Sequence, residues 1–539
     1  MRRNNLLKRS PLAMAVFTAS MAMVTVSSHS IEFDTIGGIN ELSGSMGVTL
    51  SYATGVRTEN SDKADLTPGF TSGGLNYAAE GRVPDKGDMT SNVARLSIES
   101  SMNWRNYGFV GYATYQYDSE IMDDNAINPL DGSERKSIDA AKDYSGNYFD
   151  VPEAYVYASY DFGDTPVDLR IGKQVINWGE GLFFQNGIAV QSPLNFNKLV
   201  TPGADLKEAL IGVTSGYAQI GVGDYSSIEV YAQTEWRRSE LPPIGTFYGS
   251  DVLGRGGDEV LLGAGVPTRE ADITPSDSGQ WGISFRTLLG DTEYGLYYSR
   301  HHETRPFAAV TGVGLASADF VNVFPSSVMG LSQIWPEDIN MLGLSAATTF
   351  GNWSVNGELA YRPDQPLFGN LEKLGFSVFD DNLKNIEEHD TVHASVHGIW
   401  LGASLPGGID KQVFLIQAGI DYIDGDMANL APQQTITRNE DATLAPDNTS
   451  YGVALQYDVT WQAITAGTDL TFGMFLQKDI QGNSHFWGNF AQDRLLGAFT
   501  LAANIGNETE AKLSYAMTQQ SNSDTSDLDT INLSVNYKF

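Results

Sequence analysis

Three of the seven histidines in this 539-residue chain, His389, His393 and His397, recur at four-residue steps. On a helix that spacing stacks three imidazoles on one face, as metal ligation would require. In a strand, Thr391, His393, Ser395 and His397 share one face and Val392, Ala394, Val396 and Gly398 the other, so the imidazoles become polar wall residues. Spacing alone leaves both readings open, and the chain contains no His-Glu-x-x-His element. The triplet His393-Ala394-Ser395 also has the spacing of an imidazole–hydroxyl pair for acyl hydrolysis. That chemistry needs an exposed nucleophile, its base within hydrogen-bond reach and donors for the oxyanion. Acidic clusters at Asp62 to Asp65, Glu387-Glu388, Asp421 to Asp426 and Asp524 to Asp529 offer the carboxylate oxygens that hard cations prefer. Through divalent cations they would bridge lipopolysaccharide. None has the spacing of a defined calcium loop, and the acidic loops are read as solvated surface. No catalytic residue, metal or cofactor is assigned.

The elements that would carry these residues are read best from the carboxy terminus. From Ile531 to Phe539 every odd position is apolar or aromatic and every even one polar, the period of a half-buried strand. A terminal Phe with Tyr two places earlier is the end pattern of chains that bacterial outer-membrane machinery folds into barrels. Alternation recurs throughout. Trp353, Val355, Leu359 and Tyr361 oppose Ser354, Asn356 and Glu358. Tyr451, Val453, Leu455, Tyr457, Val459 and Trp461 oppose Gly452, Ala454, Gln456, Asp458 and Thr460. Similar faces run through Ile228–Arg237 and Thr468–Gln477.

Composition agrees with dispersed hydrophobicity. Charged residues are only 18%, aromatics 11%, glycines number 56, and no run of 18 apolar residues occurs. A helical membrane protein is excluded. Spanning strands need only about 9 to 11 residues and show lipid every second side chain. The first 30 residues read as a cleaved signal peptide: Arg2, Arg3, Lys8 and Arg9, an apolar stretch from Pro11 to Val26, then small Ser27, Ser28 and Ser30. Cleavage takes four of the 33 basic side chains and none of the 66 acidic ones, leaving a net charge of −37. Nucleic acid is excluded as a partner on that charge. Without cysteine there is no disulfide, thiol nucleophile or thiolate metal site.

Short turns are expected at 103–106, 162–165, 223–226, 289–291, 351–352, 406–410, 463–467 and 505–508. Long connections lie between the strand pairs, at 57–91, 118–150, 178–215, 238–277, 302–339, 363–391 and 424–449. Short and long alternate as periplasmic turns and extracellular loops do. The fold class is therefore all-β, a transmembrane antiparallel barrel of about 18 strands, with 16 possible on the same count, forming one domain over 31–539. Barrels of 16 to 18 strands leave an aqueous channel unless something plugs it. A charge facing lipid at mid-bilayer costs roughly 2–4 kcal/mol, so Glu358 and Asp458 must face the lumen. Lys173, on the face of Leu169, Ile171 and Val175, departs from that rule; a strand end or a bulge would each explain it.

The stretch Arg170–Gly212 resembles the signature of family 1302 of the domains of unknown function, proteobacterial outer-membrane proteins. The resemblance rests on Gly172-Lys173-Gln174, Asn177-Trp178-Gly179-Glu180, Ser192-Pro193-Leu194-Asn195 and Pro202-Gly203-Ala204-Asp205-Leu206-Lys207-Glu208. Glu235-Trp236 with Pro243-Ile244-Gly245-Thr246-Phe247, Trp335-Pro336-Glu337-Asp338 and Gly357-Glu358-Leu359-Ala360-Tyr361-Arg362-Pro363 extend it over about 41–539. It implies a porin-like barrel embedded in outer-membrane lipid, with periplasmic carrier proteins and a resistance-nodulation-division (RND) type exporter as partners and hydrophobic or aromatic solutes as cargo.

From the residues themselves, the 178–215 connection is long and rich in Trp178, Phe183, Phe184, Pro193, Phe196 and Pro202. Long loops of this kind are functional or disordered. It is expected to fold inward and constrict the lumen, the alternative being packing at the rim. The 302–339 connection is similarly apolar, with Phe307, Val310, Phe320, Val323, Phe324 and Trp335. Expected constriction residues are Trp178, Glu180, Phe183, Phe184, Asn186, Asn195 and Lys198, opposed by the wall charges Arg170, Glu235 and Glu358. Their roles would be steering and apolar contact. Passage of small hydrophobic or amphipathic compounds is the expected function. A loop-mediated receptor or adhesin is the alternative. A lipid hydrolase is weaker still, because the flanks of His393-Ala394-Ser395 do not resemble outer-membrane phospholipases.

Overall fold

The computed structural model of the chain describes all residues except 1–30, 35–40, 61–68, 72–73, 77–83, 85, 124–125, 128–133, 136–138, 244–245, 250–253, 257–267, 270, 312–329, 370–385, 431–444, 487 and 520–527. The signal-peptide stretch, the Asp62 to Asp65 cluster and Val310, Phe320, Val323 and Phe324 fall wholly or in their side chains outside what is described.

Eighteen antiparallel strands follow one another around a closed wall. They are β1 (Leu42–Arg57), β2 (Met89–Trp104), β3 (Tyr107–Asp118), β4 (Asn147–Phe162), β5 (Thr165–Gln174), β6 (Val213–Val222), β7 (Ser226–Gln233), β8 (Trp281–Leu289) and β9 (Thr292–His301). The second half comprises β10 (Ile339–Phe350), β11 (Trp353–Phe368), β12 (Ile386–Gly402), β13 (Lys411–Ile423), β14 (Thr449–Thr465), β15 (Thr468–Gln481), β16 (Leu495–Ile505), β17 (Thr509–Gln519) and β18 (Thr530–Lys538). Closure is between β1 and β18, with Thr49 opposite Lys538 and Arg57 opposite Thr530. Beyond Phe539 the short strand Ile31–Asp34 continues the same track along β1, Ile31 facing Met46 and Asp34 facing Ser43. Both edges of β1 are thereby paired, which matters because an open edge in hydrocarbon leaves backbone donors and acceptors unsatisfied.

The period-two pattern sorts side chains as the sequence requires. On β18, Ile531, Leu533, Val535 and Tyr537 are exposed outward while Ser534 and Asn536 are buried inward. On β11, Asn356, Glu358 and Ala360 are buried and Leu359 is exposed. At the short-turn end, Trp104, Tyr107, Tyr160 and Phe162 form a chain of ring contacts at 6.2, 6.0 and 6.1 Å, an aromatic girdle at headgroup level. Lys173 does point outward. It stands one residue from the end of β5 with its ammonium 3.8 Å from Asp150, so the strand-end explanation holds.

The wall is uneven. Strands β5 to β9 have 8 to 10 residues, whereas β1, β2, β11, β12 and β14 have 16 or 17. A bulge in β11 between Arg362 and Gln365, with Asp364 at φ 47°, turns the strand so that Gln365, Pro366 and Leu367 are successively buried.

Leu344 lies mid-strand on β10 and is 52% exposed on the lipid side. Leu344→Arg is expected to destabilise the barrel by roughly 2–4 kcal/mol, read as a lower midpoint in denaturant titration of lipid-reconstituted protein. An unchanged midpoint would contradict the outward assignment.

Candidate functional site: a segment held inside the lumen

The 38-residue span between Gln174 and Val213, joining β5 to β6, does not cover the rim but runs through the interior. Its path is set first by glycine. Gly179 sits at φ 86° and Gly203 at φ 72°, and a Cβ at Gly179, Gly181 or Gly187 would press on the carboxylate of Glu358. The backbone therefore closes around Glu358, and the amide of Glu180 donates to its Oε2 at 2.7 Å. On the same strand Arg362 donates to the carbonyls of Asn186 at 2.8 Å and Gly187 at 2.5 Å.

Strand β13 supplies the next clamp. Gln417 Oε1 accepts from three consecutive amides, Leu182 at 3.2 Å, Phe183 at 2.6 Å and Phe184 at 3.3 Å. Asn489, on the connection between β15 and β16, pairs with Gln185 like a strand neighbour, accepting from its amide at 2.9 Å and donating to its carbonyl at 2.8 Å. Asn186 Nδ2 lies 3.1 Å from Asp421 Oδ1 and 3.2 Å from His485 Nε2. Asp421 is buried; it also contacts His393 Nδ1 at 2.7 Å, and it accepts from Ser484 at 2.5 Å and Asn489 at 3.0 Å. Burial pulls the His485 imidazole down to about 4, so it is neutral here and able to accept.

Trp178 anchors the entry of the segment. Its side chain is fully buried, its indole N–H donates to Glu229 at 2.8 Å, and its ring packs on Tyr231 at 4.9 Å and Tyr297 at 5.8 Å. Ile176, Ile188 and Met341 complete this apolar cluster. The exit is held by Glu208, which accepts from Tyr112 at 3.1 Å and Ser97 at 3.3 Å and stands 3.5 Å from Arg95 and 3.6 Å from Lys198. Burial first and Arg95 second pull the Lys198 ammonium down to about 8. Its charge rests on the Tyr148 ring, 4.6 Å away.

The residues expected at a constriction divide accordingly. Trp178, Glu180, Phe183, Phe184, Asn186, Asn195 and Lys198 all sit on this interior segment, and Glu358 faces it. Phe183 packs on Phe475 of the wall at 5.2 Å, and Phe184 on Phe490 at 4.7 Å. Asn195 caps the short helix Phe196–Val200, accepting from the Lys198 amide at 3.0 Å. Arg170 and Glu235 are not part of the cluster. Arg170 stacks against Tyr217 and Tyr155 on the inner wall. Glu235 stands past the end of β7, part exposed, accepting from Thr214 Oγ1 at 2.6 Å, because the strand stops at Gln233 before Glu235 can face inward.

His389, His393 and His397 lie on strand β12 with separate partners: the Asp424 carbonyl, Asp421 and Asn356. Spacing along a strand separates them, so they form no shared ligand set. The reading of Asp421 as solvated loop acid is overturned, since it is the last inward-facing acid of β13 and is 1% exposed. Gln417, His485 and Asn489 were not singled out from the sequence, and Glu208 entered only as the last residue of the Pro202–Glu208 signature piece. Only strand parity signalled Gln417 and Asp421, and nothing local signalled the 482–494 connection.

Between the segment and strands β8, β9 and β11 lies a cavity of about 320 Å³, lined by Glu180, Glu358, Arg286, Arg362, Ile176 and Val190 among others. Burial, with Glu293 and Glu358 nearby and only Arg286 opposing, pushes the Glu180 carboxyl up to about 7.

The chain belongs to the family described as protein of unknown function (DUF1302), whose model matches residues 9–539. None of the curated proteins matches it. Similar solved structures include OpdK of Pseudomonas aeruginosa with vanillate, at 10% identity and a TM-score of 0.42, covering 92% of this chain and 98% of that one. A BenF-like porin from Pseudomonas fluorescens Pf-5 has 9% identity and a TM-score of 0.43 over 92% and 98%. OccAB3 of Acinetobacter baumannii has 9% and 0.41 over 92% and 99%.

Gln417→Leu keeps the approximate volume but strands three amides, each costing roughly 1–3 kcal/mol if left unpaired. The variant is expected to become cleavable at 182–186 under limited proteolysis in detergent while the wild type resists. Equal resistance would refute the clamp.

Proposed function

We propose that the protein is an outer-membrane conduit through which small hydrophobic or amphipathic compounds pass, with the 175–212 segment forming its selective constriction. The observation that carries this reading is the segment itself, a plug of fixed shape that narrows a wide barrel and leaves a cavity of about 320 Å³, within the size range of small-ligand sites. Eighteen strands enclose far more room than wall side chains fill, so whatever occupies the lumen sets the flux. The cavity's mixture of apolar side chains and a few fixed charges suits a solute that has both characters.

Localisation follows from the same physics. The outward face is apolar around the wall and ends in an aromatic girdle, which suits a bilayer of outer-membrane type. Its acidic loop groups would meet lipopolysaccharide through divalent cations, and on the periplasmic side carrier proteins and an RND-type exporter would deliver or collect the solute. No bond-making role is proposed for any lumen residue. The Ser395 side chain is buried on the inner wall, and its cross-strand neighbour Gly419 lies under the Phe184 ring.

Deletion of 182–200, joined by a short glycine linker, is expected to raise single-channel conductance severalfold in planar bilayers, with the barrel's strand content retained by circular dichroism. Unchanged conductance would remove the constriction role, and a wild type that never conducts would remove the conduit.

A further inference from the structure

The cavity beside the interior segment holds charges of both signs, and their pairings are unequal. Arg362 is spent on the Asn186 and Gly187 carbonyls. Arg305 is bound to Glu303 through two contacts, 2.9 and 2.8 Å, and stacks on the Phe486 ring at 3.7 Å. Arg286 is held by the Tyr297 hydroxyl at 3.2 Å and lies between Glu229 at 4.0 Å and Glu293 at 3.8 Å. Of the carboxylates, Glu358 is engaged by the Glu180 amide and Glu229 by Trp178. The side chain of Glu180 differs. It is 5% exposed, it lines the cavity, and among the described residues it has no hydrogen-bond or ion-pair partner.

A largely buried carboxylate without a fixed protein partner is costly unless something brings it a proton or a cation. Glu293 and Glu358 act on it with Arg286 opposing, and since the cavity lining carries Glu180, Glu303 and Glu358 against Arg286, Arg305 and Arg362, Glu180 is set apart by its missing partner and not by an excess of acid. Ile176, Val190 and Leu182 line the same cavity and offer an apolar surface next to the charge. We infer that Glu180 and this surface form a binding site for the protonated amine of an amphipathic solute, the ammonium on the carboxylate and the apolar body along the segment. This rests on the conduit reading for its purpose but not for its test. Bulk sodium or potassium satisfies the charge without using the apolar wall, so hydrophobic ammonium ions are the class that uses both.

The test is calorimetric binding of benzylammonium to the full chain in detergent, with benzoate and benzyl alcohol as comparison probes. It needs no conduction, so failure of the site and failure of the conduit are read separately. Benzylammonium is expected to bind and the other two to bind at least tenfold more weakly, with Glu180→Gln losing roughly tenfold in affinity. Asp458→Asn removes a different lumen carboxylate and should leave the affinity unchanged. Because the Glu180 carboxyl sits near 7, wild-type affinity should fall from pH 8 to pH 6 as it takes up a proton. His301 and His302 also line the cavity, so the same pair of pH values is run on Glu180→Gln, where the fall should vanish. Equal binding of benzoate, wild-type affinity in Glu180→Gln, an equal loss in Asp458→Asn, or a pH effect that survives Glu180→Gln would each overturn the assignment.

Discussion

A backbone amide in hydrocarbon has no water to turn to, and leaving it unpaired costs several kcal/mol. Every strand here therefore needs a partner on both sides, and the first and last strands have only each other. The closure of β1 on β18, extended past the chain end by Ile31–Asp34, satisfies that demand. It also fixes the circumference. Eighteen strands produce an interior too wide to be filled by wall side chains, and the segment from 175 to 212 is the response to that vacancy.

Filling the vacancy brings the same backbone problem indoors. The segment has no strand partner over 179–187, so its amides and carbonyls must be paired by side chains reaching from the wall. Gln417 takes three amides, Arg362 takes two carbonyls, Glu358 one amide, and Asn489 both groups of Gln185. Wall residues with polar ends are thus the framework of the plug. Their length and spacing decide where the plug can sit, and glycines at 179, 181 and 187 let it approach.

Most of the wall was legible from period two alone. Alternation at Trp353–Tyr361 and Tyr451–Trp461 gives the inward faces that the structure shows, and the short turns fall where the polar breaks are. The plug was legible only by elimination, because Trp178, Phe183 and Phe184 have no place in water. Its clamps were not. Asp421 lies near exposed acids in sequence, and its burial depends on strand β13 running to Ile423 and on His393 of the neighbouring strand standing opposite it. Asn489 and His485 arrive from a connection some 300 residues away, a tertiary fact with no local signature. Glu235 was misplaced for the converse reason: β7 ends two residues short of it.

The clamps also explain why Glu180 is left without a partner. Arg362 keeps its charge but directs its N–H groups to the Asn186 and Gly187 carbonyls, so its guanidinium is oriented toward backbone and not toward Glu180. Glu358 likewise accepts from the backbone of the segment, at the Glu180 amide. A segment built this way gains position at the expense of side-chain pairing, and Glu180 is left lining the cavity without a hydrogen-bond or ion-pair partner among the described residues. Structural pairing and functional charge are therefore two consequences of a single arrangement, in which a chain that cannot hydrogen-bond to itself borrows the side chains of its own wall.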